Sequence, residues 1–347
     1  MPNVAGDAAD SVGGLLTRRW QVIDPLLPAP RALQPGCGAG LLVVGTADQP
    51  SAIGSCEHWQ GLPGSLALTW GAACRVRLTA QIAGPDVAPA LDQLLSQWRD
   101  HLADVPCADG EDTAAVVTWP SRDVDGVNTL LRHGLAPLAV IAARSAGRHS
   151  TGHADAATEQ LHSAAGQADS QDPDQSWAAE PVGAGLRIRR AGPADLDTVV
   201  RLGMEVVRFD ARFGAVIERA ETKSALRRDV ARSLAGPDAW TWLAERDYTA
   251  IGMLYAERPE STGWIAPMAR PQPVAYLELM YVMPGERGRG VSAALVARLH
   301  RAADTAGVAV TLLHYAQVNP LSAPFWSQQG YRPLWISWEA RPARAIR

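Results

Sequence analysis

The most telling stretch of the chain is Leu277-Glu278-Leu279-Met280-Tyr281-Val282-Met283-Pro284-Gly285-Glu286-Arg287-Gly288-Arg289-Gly290-Val291-Ser292-Ala293-Ala294-Leu295. It runs from an apolar strand through a tight turn rich in Arg and Gly into the first turn of a helix. Glycines in such a turn let the backbone approach an anion closely, and the free amides and dipole of the helix start supply positive potential. Arg287 and Arg289 add charge-assisted bonds suited to phosphate oxygens. Glu278 is the only charge between Val274 and Met283. A carboxylate on a central strand is costly unless it has a task or a partner, so it is either a general base or a structural hydrogen-bonding group. His314, alone among apolar residues, is a second candidate base or orienter, or else a satisfied core histidine.

Working outward, the periodicities predict a strand at Leu186 to Arg190 and a helix from Asp195 to Phe209, buried through Leu196, Val199, Val200, Met204 and Val207. A second helix follows at Glu221 to Leu234, then strands at Trp240 to Ala244, Ala250 to Ala256 and Val274 to Val282. Gly290 opens a helix to about Ala306. Val308 to Tyr315 reads as a buried strand, Ser322 to Gln329 as a short helix and Tyr331 to Glu339 as a last strand. The order predicts an α/β class with a mixed sheet.

The turn is similar to the pyrophosphate loop Q/R-x-x-G-x-G/A of the GNAT superfamily of N-acyltransferases, with Arg287, Gly290 and Ser292 at its first, fourth and sixth places. Serine at the sixth place departs from the pattern but leaves its amide available. Asn319-Pro320-Leu321-Ser322-Ala323-Pro324-Phe325-Trp326-Ser327-Gln328-Gln329-Gly330-Tyr331 resembles the closing motif N-x-x-A-x-x-x-Y-x-x-x-G-F. Here Trp326 stands where many members carry the Tyr that protonates the leaving thiolate, and an indole N–H cannot act as such an acid.

That resemblance implies an acyl-CoA co-substrate, acetyl-CoA by default, held by Val282, Arg287, Gly288, Arg289, Gly290, Val291, Ser292 and Ala293, with Asn319 and Trp326 along the pantetheine arm. It implies a bulge that splays the strand from Leu279 to Val282, the Met280 amide polarising the thioester carbonyl, and Glu278 as general base. Tyr281 and Tyr331 are candidates for the missing acid, or simply core residues. Arg208, Asp210 and Arg212 fall where GNAT domains build the acceptor pocket. The expected reaction is direct acyl transfer to a primary amine, on a small molecule or a peptide, without a metal. Two alternatives stay open: a mycothiol synthase, whose two fused GNAT halves the layout resembles, and an acyl-CoA-binding regulator without turnover.

The first half carries a faint repeat of the second. Gly134-Leu135-Ala136-Pro137-Leu138 mirrors Gly330-Tyr331-Arg332-Pro333-Leu334 at an offset of 330 − 134 = 196 positions. A strand at Ala114 to Trp119 and a helix at Val124 to His133 precede it, as do a strand at Ala73 to Ile82 and a helix at Pro85 to Leu102. The arginines of the loop are missing, Asp86 falls at the place of Gly290, and Asp123 falls at that of Asn319. The expected organisation is therefore a disordered N-terminus (1–13), a degenerate GNAT-like domain (14–144), a flexible linker (145–184) poor in large apolar residues, and the catalytic domain (185–347).

With 347 residues and a net charge of −4, the chain is long enough for two cores and has no electrostatic case for nucleic acid. No apolar run reaches membrane-spanning length, and the N-terminus lacks a signal-peptide pattern. Widely spaced Cys37, Cys56, Cys74 and Cys107 read as buried free thiols of a cytoplasmic protein. The oligomeric state is not legible.

Overall fold

A computed structural model describes residues 14–16, 18–33, 41–46, 49–147, 180–181 as backbone, 185–236 and 238–347. The expected disordered N-terminus and nearly all of the expected linker lie outside the described residues. The elements are β1 (Leu42–Gly45), β2 (Pro50–Gln60), β3 (Cys74–Ile82), α1 (Val87–Ala103), β4 (Thr113–Pro120), α2 (Val127–Arg132), β5 (Ala136–Ser145) and β6 (Glu180–Pro181), followed by β7 (Leu186–Arg190), α3 (Leu196–Asp210), α4 (Thr222–Leu234), β8 (Trp240–Arg246), β9 (Thr249–Glu257), β10 (Val274–Val282), α5 (Val291–Thr305), β11 (Val310–Ala316), α6 (Ser322–Gln328) and β12 (Arg332–Ala340). All strands join one mixed sheet in the order β1-β2-β3-β4-β12-β5-β11-β10-β9-β8-β7-β6.

The centre of that order is not the chain order. β12, the last strand of the second half, lies between β4 and β5, and β5 lies between β12 and β11. Each half has lent its final strand to the other. The register makes the exchange symmetric about Val140↔Ile336, for which 336 − 140 = 196. Adding or subtracting 196 turns Ala143↔Arg332 into Ala136↔Glu339, and Ile141↔Trp335 into Ala139↔Ser337. The same shift carries Pro120↔Trp335 of the β4–β12 ladder onto Ala316↔Ala139 of the β11–β5 ladder, and Ala115↔Ala340 onto Thr311↔Arg144. The repeat faintly visible in sequence is thus a pseudo-two-fold of the backbone.

Packing follows the exchange. Val140 and Ala142 of β5 are buried with Leu295, Leu299 and Leu313 in the second half, while Trp338 and Ala340 of β12 are buried with Leu91, Leu94 and Trp98 of the first. On the opposite face of the second half, Val199, Val200 and Val207 of α3 and Leu226 and Val230 of α4 cover Met253, Tyr255 and Leu279. A helical segment at 18–23 and the turn after it lay Leu26 and Leu27 over Tyr276, Leu312 and Trp335. Asp24 anchors this turn: it accepts from the Leu26 amide at 2.9 Å and from Arg332 Nη2 at 2.7 Å. Burial alone would raise the Asp24 carboxyl, but Arg332, the Leu26 amide and Arg122 together hold it below its ordinary value of 3.8.

Two expectations are corrected. Cys74 and Cys107 form a disulfide with Cα atoms 6.3 Å apart, not two free thiols; Cys56 is the buried free cysteine among the described residues. The strand β5 extends through Ser145, so the chain is still in the sheet where the linker was expected to begin. No helix among the described residues is long and apolar enough to cross a membrane.

Because β5 and β12 are shared, cutting the chain should not separate its halves. A protease site inserted within residues 150–175 and cleaved under native conditions should yield two fragments that co-elute in size exclusion; independent elution would contradict the exchange. Replacing Asp24 by Asn should destabilise the fold by about 3 kcal/mol, since Arg332 is left largely buried without its partner. The folded-state pKa of Asp24 is depressed, so its contribution is present above about pH 4 and lost as pH falls through the lower folded value. Thermal melts of both proteins should therefore converge in acid.

Candidate active site

The helix α5 begins where the sequence places it. Gly290 is its N-terminal cap at φ +79°, and Gly288 sits at φ +73°, the left-handed region that favours glycine. A β-carbon at either position would meet nothing within 4 Å, so backbone conformation, not crowding, is what these glycines satisfy. No side chain caps the helix, leaving the first-turn amides of a 15-residue helix open toward an exposed loop. Glu286 ties the loop to β8 through Arg246, at 3.1 Å. Arg287 donates through Nε to the Val282 carbonyl at 3.2 Å, and its guanidinium lies 5.3 Å from the Phe209 ring. Arg289 is exposed and only loosely paired, 4.0 Å from Glu286.

Upstream of the loop, β10 parts from its neighbours at Glu278. The antiparallel register with β9 passes from Leu277↔Ala256 to Leu279↔Tyr255, so Glu278 is the extra residue of a β-bulge. The parallel ladder with β11 ends at the same level, at Leu277↔Leu313. Beyond it the two strands diverge, and the edge of β10 from Glu278 through Met280 to Val282 faces a cleft with no ladder partner on the β11 side. This is the splay expected from sequence.

Into the cleft come groups from five elements. The Glu278 Oε2 atom is closed off from solvent and has no hydrogen-bond partner among the described residues. Burial, then the charges of Asp229 and Glu257, push its carboxyl well above its ordinary value of 4.5. Tyr276 and His314 meet across β10 and β11, Oη to Nδ1, at 2.9 Å. The His314 ring is open to solvent at the cleft floor yet crowded by protein on its other sides, and that desolvation pushes its pKa down to about 4. Tyr255 on β9 donates to Asp229 of α4 at 3.1 Å, and Trp264 donates through Nε1 to Glu257 at 2.8 Å. Asp229, Glu257, Tyr276 and Trp264 were not singled out from sequence. Their pattern is legible only once the register sets Glu257 opposite Tyr276, two residues from Glu278.

The remaining candidates divide. Asp210 and Asn319 come together: the carboxyl is hydrogen-bonded to the Asn319 side chain, and burial, opposed by that bond, raises its pKa to about 6. Arg208 is engaged on the surface with Glu205 at 2.8 Å and Glu218 at 3.4 Å. Arg212 stacks toward Phe209, 5.8 Å from its ring. Trp326 and Tyr331 are buried against each other, ring centroids 5.4 Å apart, with Tyr331 also bonded to His300 at 3.2 Å. Tyr281 is partly exposed at the outer end of β10, where burial and Glu205 raise its pKa.

The first half has the counterpart cleft without its chemistry. The β3–β4 ladder runs from Cys74↔Thr113 to Leu78↔Val117, and Arg75↔Ala114 corresponds to Val274↔Val310, which sets Arg77 at the place of Tyr276 and Thr118 at that of His314. The β2–β3 register has no bulge, so Thr79 stands where the second half has Glu278 and Leu279. A cavity of about 240 Å³ remains there, walled by Trp20, Pro28 and Arg31 of the N-terminal segment. Asp123, at the place of Asn319, is locked to Arg19 at 2.5 Å, and Asp86 caps α1 where Gly290 caps α5.

Residues 212–331 match the model of the acetyltransferase (GNAT) family. Among solved structures, the chain is similar to a GCN5-related N-acetyltransferase from Sphaerobacter thermophilus, with a TM-score of 0.56 and 12% identity over 99% of this chain and 94% of that one. A tandem GNAT protein from the clavulanic acid biosynthesis pathway aligns over 97% of this chain and 95% of its own at a TM-score of 0.47 and 14% identity. The PaiA N-acetyltransferase from Thermoplasma acidophilum, in complex with coenzyme A, aligns over 46% of this chain and 99% of its own, with a TM-score of 0.34 and 16% identity. No curated protein matches the sequence.

The Glu278 carboxyl yields a stability test. Its folded-state pKa is raised, so its contribution is full below the ordinary 4.5 and is lost as pH rises toward the folded value. Glu278→Gln removes that loss. The melting temperature of the variant relative to wild type should climb between pH 4 and pH 8, and a pH-independent difference would contradict the assigned environment.

Proposed function

We propose that this chain, whose residues 212–331 match the model of the acetyltransferase (GNAT) family, transfers an acyl group, acetyl in the simplest case, from CoA to a primary amine in the cleft between β10 and β11. The observation that carries this reading is the alignment of an uncapped, glycine-opened helix start with a bulged strand whose extra residue, Glu278, has a buried carboxyl oxygen without a hydrogen-bond partner. The amides of Val291, Ser292 and Ala293, with Arg289, hold the pyrophosphate. The unpaired edge of β10 receives the pantetheine arm, and the Met280 amide faces the thioester oxygen as one oxyanion donor.

The amine nitrogen attacks the thioester carbon, and the tetrahedral intermediate collapses with cleavage of the C–S bond. Glu278 takes the proton that the nitrogen loses, and CoA leaves as a thiolate that is protonated by solvent. A carboxylate with a raised pKa suits this task, because a base at its ordinary value would be too weak toward an amine near neutrality. His314, held by Tyr276, orients the acceptor as a neutral ring. Asp210 and Asn319 close the end of the cleft beside α3.

Two outcomes test this reading. Gly290→Asp places a carboxylate against the pyrophosphate and forces a left-handed backbone on a residue other than glycine; calorimetry should find CoA binding weakened by about tenfold or more. Equal affinities would remove the loop from the cofactor site. Glu278→Gln should leave CoA affinity nearly unchanged and lower turnover by about 10²-fold at neutral pH, the scale of one positioned base. The deficit should shrink as pH rises and more amine arrives deprotonated. Parallel pH profiles with a small offset would reduce Glu278 to a structural role.

A further inference from the structure

The cleft carries more acid than removal of one proton requires. Burial, then the charge of Asp229 on α4, raises the pKa of Glu257 at the end of β9, and burial, then Asp229 and Glu257, raises that of Glu278 on the bulge. Of these, Asp229 has a cationic partner, Arg232 at 2.9 Å, whose side chain is 77% exposed. Glu257 and Glu278 have no arginine or lysine partner within ion-pair distance among the described residues. Desolvation lowers the pKa of His314 to about 4 and so disfavours its charged form.

A separate feature points the same way. The Trp264 indole is 58% exposed, unusual for so large an apolar ring, yet it is fixed in place. Its edge bonds to Glu257, its ring meets Tyr276 at 79° with centroids 4.9 Å apart, and it lies within 12° of parallel to His314 at 6.4 Å. A rigid, solvent-facing indole beside a carboxyl group with no arginine or lysine partner among the described residues is a seat for an organic cation, which the π-face attracts and the ionised carboxyl pairs with. Together with the Glu278 Oε2 atom, buried and without a partner, the arrangement is polarised for positive charge at two places.

Resting on the acyltransfer reading above, we infer that the acceptor is a polycationic amine: its reacting nitrogen lies at Glu278, and a second ammonium group sits over the exposed face of the Trp264 indole, beside Glu257. A linear polyamine and an amino sugar share this chemistry.

The test uses the full chain with saturating acetyl-CoA and compares kcat/KM for butylamine, 1,4-diaminobutane, spermidine and kanamycin. The multiply charged acceptors should exceed butylamine by about tenfold or more, the effect of one well-placed cation contact. Preference for spermidine identifies a linear acceptor, and preference for kanamycin an amino sugar. In Glu257→Gln and in Trp264→Leu the ratio of diamine to monoamine should collapse toward one. Equal kcat/KM for butylamine and 1,4-diaminobutane, or a ratio that survives both substitutions, would overturn the inference.

Failure of the underlying reading has a different signature. If CoA does not bind and no amine is acetylated, calorimetric titration of spermidine into the chain alone still decides the cluster. Salt-sensitive binding that is lost in Glu257→Gln supports the cation seat, and absence of binding overturns it.

Discussion

The antiparallel pairing of Val140 with Ile336 is the contact on which the rest of the molecule depends. Around it each half completes its sheet with a strand of the other, so neither core closes until both have folded. Trp338 fills the first half's core and Val140 the second's. Such an exchange joins two small sheets into one, of twelve strands among the described residues, and covers two edges that would otherwise be open to unwanted pairing. It also fixes β11 against β5 along its length, from Val310↔Ser145 to Ala316↔Ala139. With β11 held on that side, β10 is the strand free to bend away from it.

That bend separates the two halves chemically. Both have a parallel pair that opens after a few residues, as the fold requires, but the second adds a bulge at Glu278 and the first does not. One inserted residue sets a carboxyl near Asp229 and Glu257 with its Oε2 atom closed off from solvent. In the first half the equivalent space is backed by Arg77 and Thr118 and walled by the chain's own N-terminal segment. Its other anchor point, Asp123, is spent on Arg19. The first half keeps the geometry of a cleft and donates β5 to the second half's sheet.

Much of the second half was legible in sequence because its signals are local. The period of Val199, Val200 and Val207 sets α3, the unbroken apolar run sets β10, and Gly288 and Gly290 mark positive φ at a helix start. The bulge followed from resemblance to the GNAT motifs and falls at Glu278, just ahead of the stretch from Leu279 to Val282 where it was expected. Non-local pairings were not legible. Nothing in the composition of β12 says that Trp335 lies across from Pro120 and not beside β11, since an aromatic, β-branched strand suits any buried sheet position. The strand β2 escaped notice because Gly54, Ser55 and Glu57 break the apolar pattern that marks a strand. Glu257, Tyr276 and Trp264 became a cluster only through the register of β9 against β10 and the turn of a loop, which sequence spacing does not encode. The disulfide between Cys74 and Cys107, 33 positions apart, is of the same kind.

A crystal structure of the full chain with CoA bound tests the central claim most directly, because the two halves offer it two related clefts of which only one is equipped. The account predicts a single CoA, with its pyrophosphate on the amides of Val291 to Ala293 and its sulfur between β10 and β11 within reach of Glu278. Density for CoA in the cleft between β3 and β4, or a pyrophosphate seated away from the start of α5, would contradict it.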